Sequence, residues 1–233
     1  MRPARLSDSR EGVIEEAQAH NRRSATRWLA FGSPVLLVLA GHLTARVCQA
    51  RLGQWAWVGV GFVYWSSLAG LVALSSSPEQ RRRWLAPGRG HWLWAGLALL
   101  MGLMAFPLLL IPNLGLLRSP LLAVLWLGVA VVNGSLEELY WRGLLLDAFG
   151  RRRALGVVYT AVLFTAIHPL MWGVFSRPMA FVPFWGIVAA ISLAYSVIYL
   201  NTRSLRWPIL SHVLSDIGNL SVFVFMNLIA FPS

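Results

Sequence analysis

The stretch Ser135-Leu136-Glu137-Glu138-Leu139-Tyr140-Trp141-Arg142-Gly143 sets two carboxylates and a guanidinium inside an apolar run, Leu121 to Leu146, long enough to cross a bilayer. A charge at the bilayer centre costs roughly 2.5–3.5 kcal/mol on insertion scales, so such groups need partners or a purpose. Each helical residue turns about 100°, which predicts that Glu137 and Glu138 face different ways. Glu138 and Arg142 are four apart in the favoured order and are expected to pair along one face. Glu137 is left beside Asn133, Gly134, Tyr140 and Trp141, free for chemistry.

The surrounding chain agrees with a membrane reading. Of 233 residues 57% are hydrophobic and only 12% are charged, about half the soluble norm, and the mean hydropathy is +0.62. Apolar spans are expected at about Trp28–Val47, Trp55–Leu74, Trp92–Ile111, Leu121–Leu146, Leu155–Val174, Phe181–Leu200 and Ile209–Phe231. Each is close to the ~20 residues that cross the hydrocarbon layer. The expected fold is all-α: a polytopic integral membrane helical bundle of about seven transmembrane helices. Trp residues near span ends, including Trp28, Trp55, Trp92 and Trp207, read as an aromatic belt, and Tyr195, Tyr199 and Asn201 as interface anchors. His42 and Arg46 read as snorkelling groups at a helix end.

The net charge is +11, and all 20 basic residues are arginine. They sit in loops between apolar spans, which points to topology and lipid headgroups and away from nucleic acid. Loop by loop the arginine count alternates from high to low, fifteen on one side against four on the other, with Arg142 inside a span. The positive-inside rule then puts the N-terminus in the cytoplasm and the C-terminus outside. The polar residues 1–27 read as a cytoplasmic tail, too long and too acidic for a cleaved signal peptide. The single Cys48 rules out an intramolecular disulfide.

Two further sites break the apolar pattern. Phe164-Thr165-Ala166-Ile167-His168-Pro169 puts a histidine beside a proline that frees the Thr165 carbonyl. In the last span, His212, Asp216 and Asn219 recur at i, i+4 and i+7 and share a face. By a rise of 1.5 Å per residue, all three sites fall between the cytoplasmic face and the midplane. Structural glue between helices accounts for each site taken singly, but a shared depth points to one constellation.

Glu137-Glu138-x-x-x-Arg142, Phe164-x-x-x-His168 and His212-x-x-x-Asp216 resemble, in order and spacing, the three motifs of the CPBP family. These are intramembrane CAAX-type endopeptidases and bacteriocin-processing or immunity proteins, and the resemblance covers about residues 121–220. It implies a core of four spans over 112–233, preceded by three generic spans over 28–111, in a bacterial inner membrane. By motif position Glu137 corresponds to the catalytic glutamate and His168 to its helper at the water, with His212 on the oxyanion or metal side. The last position is Asn or Asp across the family. An ionised Asp216 accepts but cannot donate a hydrogen bond, so it is either protonated there or orients His212.

The chemistry of the residues agrees. Amide hydrolysis needs a base for water and donors for the oxyanion, and neither a GxSxG elbow nor an HExxH pair is present. The expected activity is cleavage of a membrane-anchored or lipidated peptide, with the lipid bilayer as the other partner. No cofactor is favoured. Zinc is the alternative, with Glu137, His168, His212 and Asp216 as candidate ligands. The rival functions are a non-enzymatic immunity or scaffold protein of the same fold and a proton-coupled transporter.

Overall fold

The computed structural model describes residues 31–90 and 92–229, and all regular structure among them is helical. The expected tail over 1–27, Trp28 and Phe231 lie outside the described residues. Five helical runs are long and apolar enough to cross a membrane: Phe31–Ser75, Trp92–Arg118, Pro120–Leu146, Arg153–Val174 and Val182–Thr202. Large apolar side chains such as Leu36, Phe62, Leu74, Leu108 and Val124 point outward and are largely exposed. A continuous apolar exterior of this kind suits lipid rather than water.

The first run is a hairpin of α1 (31–52) and α2 (Ala56–Ser75), reversed at Gly53 with φ of 53°. A Cβ on Gly59 would lie 2.6 Å from the Cys48 sulfur, a contact that a straight helix rising 1.5 Å per residue forbids. A short α3 (Pro78–Trp84) starts on Ser77, whose hydroxyl accepts from the Gln80 amide, with Pro78 at the first helical position. Next, α4 (Trp92–Leu103) continues through a π turn at Phe106–Leu110 and a 3-10 segment at Ile111–Arg118.

Capped by Ser119 with Pro120 behind it, α5 (Pro120–Glu138) runs straight into a π-helical stretch, Leu139–Leu146. Wider π turns are rare and occur mostly at functional sites. Here seven of the eight π residues, Tyr140 to Leu146, are buried, so this is the central element of the bundle. The chain continues with α6 (Arg153–Leu170), α7 (Arg177–Ala180), α8 (Val182–Thr202), α9 (Arg206–Gly218) and α10 (Ser221–Phe225).

The expected last span, Ile209–Phe231, is not one helix. It stops at Gly218, Leu220 takes a left-handed φ of 57°, and the five residues of α10 follow. At about 1.5 Å per residue, α9 alone is some 20 Å long, short of the hydrocarbon thickness. The break is held by aromatic packing rather than by backbone continuity. Phe225 stacks on Trp172 with centroids 4.7 Å apart, and Phe223 meets Trp126 edge-on at 6.3 Å.

The arginine-rich connections gather at one end. There the Leu205 amide donates to the Trp84 carbonyl, Arg206 to Leu85, and the Trp84 indole to Asp147. Phe31, at the start of described α1, packs on Phe149 at the same end. At the other end Asn227 ties α10 to the Phe175 carbonyl. Two sequence expectations change. Tyr195 and Tyr199 are buried rather than interfacial, bonded to Ser215 and Asp147 respectively. His42 donates to the Leu170 carbonyl and accepts from Arg46, so it fastens α1 to the end of α6 instead of snorkelling alone.

Close approach of α9 to its neighbours depends on two glycines. A Cβ on Gly134 of α5 would lie 2.9 Å from the Val213 amide nitrogen, and one on Gly102 of α4 would lie 2.8 Å from the Ser211 carbonyl oxygen. Both obstacles are backbone, so α9 itself would have to move. Gly134→Ala is therefore expected to destabilise the protein by about 1–3 kcal/mol, read as a lower Tm in nanodiscs; an unchanged Tm would mean that α9 is not seated this closely. For orientation, in a Cys48→Ser background, Ala86→Cys is expected to label only from the cytoplasmic side and Gln54→Cys from outside. Labelling of both from one side would remove the cytoplasmic assignment of the basic end.

Candidate active site

At the end of α5, Glu138 Oε1 accepts from Arg142 Nη1 at 2.8 Å, and neither side chain is exposed. A buried charge pair is tolerable when further hydrogen bonds offset the desolvation of its members. Arg142 Nη2 donates to the Ser192 hydroxyl at 2.9 Å and to its carbonyl at 3.2 Å, both on α8. The guanidinium also lies 4.6 Å from the Phe164 ring centroid and 5.5 Å from that of Tyr195. One arginine thus ties α5 to α6 and α8.

The second partner of Glu138 comes from α9. His212 Nδ1 lies 2.8 Å from Glu138 Oε1, and its Nε2 lies 3.4 Å from Glu137 Oε2 and 3.9 Å from Asp216 Oδ2. Adjacent glutamates do leave the helix at different angles, yet one imidazole meets both, because its two nitrogens point to opposite sides. The close contact at Gly134 brings the ring to them. Glu137 therefore does not stand apart from Glu138, as the helical turn alone suggests; the two flank the same histidine.

Glu137 is 1% exposed. Its Oε1 accepts from the Tyr64 hydroxyl at 2.8 Å, while Oε2 receives no hydrogen bond among the described residues. Asp216 is held by amides: Asn133 Nδ2 donates to Oδ2 at 2.9 Å and Asn219 Nδ2 to Oδ1 at 3.4 Å. With both oxygens accepting, Asp216 acts on its surroundings as an acceptor.

His168 sits one turn beyond Phe164 on α6. Its Nδ1 lies 2.8 Å from the Phe164 carbonyl, which can only accept, so Nδ1 carries the hydrogen and Nε2 of a neutral ring is an acceptor. The Phe164 ring is the shared neighbour of both histidines, 4.9 Å from the His168 ring and 6.1 Å from the His212 ring. Among the described residues His168 makes no hydrogen bond or ion pair to Glu137, His212 or Asp216. Glu137, Glu138, Arg142, His212 and Asp216 form one contiguous cluster, and His168 adjoins it through Phe164.

Residues 119–218 match the family described as Type II CAAX prenyl endopeptidase Rce1-like. This segment is similar to that family. No curated protein and no solved structure is found to match the chain. The Rce1-like segment begins at the Ser119 cap of α5 and ends at the last residue of α9, so it contains the three motifs and excludes α1, α2 and α10. That family is a protease family, and the five long apolar helical runs suit an integral membrane protein.

Several residues of the cluster were not singled out from sequence. Tyr64 and Trp65 come from α2, outside the Rce1-like segment, and Ser192 from the middle of α8. A usable signal existed for Tyr64: tyrosine favours membrane interfaces, and this one sits in the middle of an apolar span. Hydroxyl-bearing serines inside spans are too common to single out.

His212 and His168 each have Nδ1 engaged, by Glu138 and by the Phe164 carbonyl, which leaves Nε2 of each ring as the nitrogen that could bind a metal. Among the described residues no three His, Cys, Asp or Glu side chains are gathered as a metal-binding group, whereas catalytic zinc commonly takes three protein ligands.

Glu138→Gln removes the anion shared by Arg142 and His212. The uncompensated guanidinium is expected to cost about 3–5 kcal/mol, measured as a fall in Tm of the purified protein in nanodiscs. A wild-type Tm would show that Ser192 and the aromatic rings suffice to hold Arg142.

Proposed function

We propose that the chain is an intramembrane endopeptidase that hydrolyses a peptide bond of a membrane-anchored or lipidated peptide near the cytoplasmic leaflet of a bacterial inner membrane. The observation that carries this reading is the asymmetry of Glu137. One oxygen is fixed by Tyr64, and the other is buried, without a hydrogen bond, 3.4 Å from His212 Nε2. An oriented carboxylate oxygen with an open lone pair is what a general base for water requires.

In this mechanism Glu137 Oε2 takes a proton from the attacking water as its oxygen bonds to the scissile carbonyl carbon. His168, with Nδ1 hydrogen fixed on the Phe164 carbonyl, offers Nε2 as acceptor to the same water. The developing oxyanion needs donors placed in advance. His212, protonated at both nitrogens between its carboxylate neighbours, supplies Nε2–H. Asp216, an acceptor towards Asn133 and Asn219, orients His212 and does not donate. Collapse of the tetrahedral intermediate breaks the C–N bond, and Glu137 returns the proton to the leaving amine. The Glu138–Arg142 pair keeps the helix carrying Glu137 in register. The pathway uses water and two side-chain bases, and metal-free catalysis by Glu137 is part of the proposal.

The reading is tested by comparing the termini of membrane proteins from cells carrying wild type or Glu137→Gln. Termini present only with wild type are expected, with both proteins expressed and folded to the same level. Termini that show no cleavage with either protein would leave a non-enzymatic immunity or scaffold protein as the function, and wild-type cleavage by Glu137→Gln would remove the catalytic assignment of Glu137. Purification without metal-affinity resin and dialysis against a chelator are expected to leave cleavage unchanged. Activity lost with the chelator and restored by zinc would replace the metal-free mechanism.

A further inference from the structure

Two adjacent residues of α2 reach the two acids that flank His212 Nε2. Tyr64, 2% exposed, donates to Glu137 Oε1 at 2.8 Å and accepts from the Trp141 indole at 3.2 Å. An indole nitrogen can only donate, so the bond from Trp141 occupies a lone pair of the Tyr64 oxygen and leaves its hydrogen for Glu137. Trp65 Nε1 donates to Asn133 Oδ1 at 2.9 Å. This again admits one sense only: Asn133 presents oxygen to α2, and its NH2 group goes to Asp216 Oδ2 at 2.9 Å.

We infer that Tyr64 and Trp65 are positioning residues of the catalytic centre, Tyr64 fixing which oxygen of Glu137 acts as base and Trp65, through Asn133, fixing Asp216 against His212. The inference rests on the proposed role of Glu137. It extends the working centre beyond the Rce1-like segment, residues 119–218, to a helix of the N-terminal hairpin. Without the Tyr64 hydroxyl, Glu137 can rotate about its terminal bond, and either oxygen can turn towards His212. Without the Trp65 indole, the Asn133 amide can flip and set its oxygen against the Asp216 carboxylate. Phenylalanine keeps an aromatic ring at each position. The hydrogen bonds are what a conservative replacement removes.

The test uses the full chain in nanodiscs and the variants Tyr64→Phe and Trp65→Phe. Tyr199→Phe, which deletes a buried hydroxyl bonded to Asp147, serves as the control. Infrared difference spectra against Glu137→Gln and Asp216→Asn identify the carboxyl bands of Glu137 and Asp216. Tyr64→Phe is expected to move the Glu137 band and Trp65→Phe the Asp216 band, each leaving the other in place. With a substrate identified from the termini comparison, Tyr64→Phe is expected to lower kcat about 10- to 100-fold, the loss of a hydrogen bond to a charged group. KM is expected to stay within about twofold, because the contact acts on the reacting geometry rather than on uniform binding. Tyr199→Phe should keep wild-type kcat. Unmoved bands, wild-type kcat in Tyr64→Phe, or a loss confined to KM would overturn the inference. Should Glu137→Gln cleave like wild type, the role of Glu137 as base falls and the kinetic arm with it. In that case a moved Glu137 band upholds the contact from α2, and an unmoved one overturns it.

Discussion

The structure depends on keeping one arginine charged and paired inside a membrane. Arg142 has no exposure, and its cost is met by Glu138 on its own helix, Ser192 on α8, and the rings of Phe164 and Tyr195 on α6 and α8. Because these partners come from three helices, satisfying the guanidinium fixes how those helices sit around α5. Replacing the set by apolar residues would be cheaper in principle. Its retention fits a centre in which charge is needed: Glu138, held by Arg142, also holds Nδ1 of His212.

From that anchor the polarity runs in one direction. Glu138 orients His212, His212 points Nε2 at Glu137 and Asp216, and those acids are steadied from the far side by Tyr64 and Asn133. Low local polarity strengthens each of these bonds and penalises any that is missing. Glu137 Oε2 is left without a hydrogen bond, as are Glu138 Oε2 and Arg142 Nε, but it alone of these lies beside His212 Nε2, at 3.4 Å. Water activation is the role we assign to it.

Access of α9 to this centre is a matter of small residues and a broken helix. Gly134 and Gly102 let the α9 backbone approach α5 and α4 to distances that any side chain would block. Ending α9 at Gly218 frees the chain to turn at Leu220 and bury Phe223 and Phe225 among Trp57, Trp126 and Trp172. The polar face His212–Asp216–Asn219 therefore sits on a short helix pressed against α5, not on a long span that continues to the opposite surface.

The sequence by itself determined what is local or compositional. Apolar run lengths set the all-helical membrane fold, the alternation of arginines separated the two ends, and the i, i+4 spacing paired Glu138 with Arg142. The three motifs were also legible, and rise per residue converts their positions into expected depths without any tertiary knowledge. Which nitrogen of His212 meets which glutamate was not legible, because it depends on how closely α9 packs on Gly134. Nor was the part played by α2: Tyr64 and Trp65 lie about 70 residues from Glu137 and Asn133, and no periodicity links hydrogen-bond partners on separate helices. The break after Gly218 was hidden for a related reason. A continuous apolar pattern specifies burial, whereas the place where the backbone turns is decided by the aromatic cavity that receives α10.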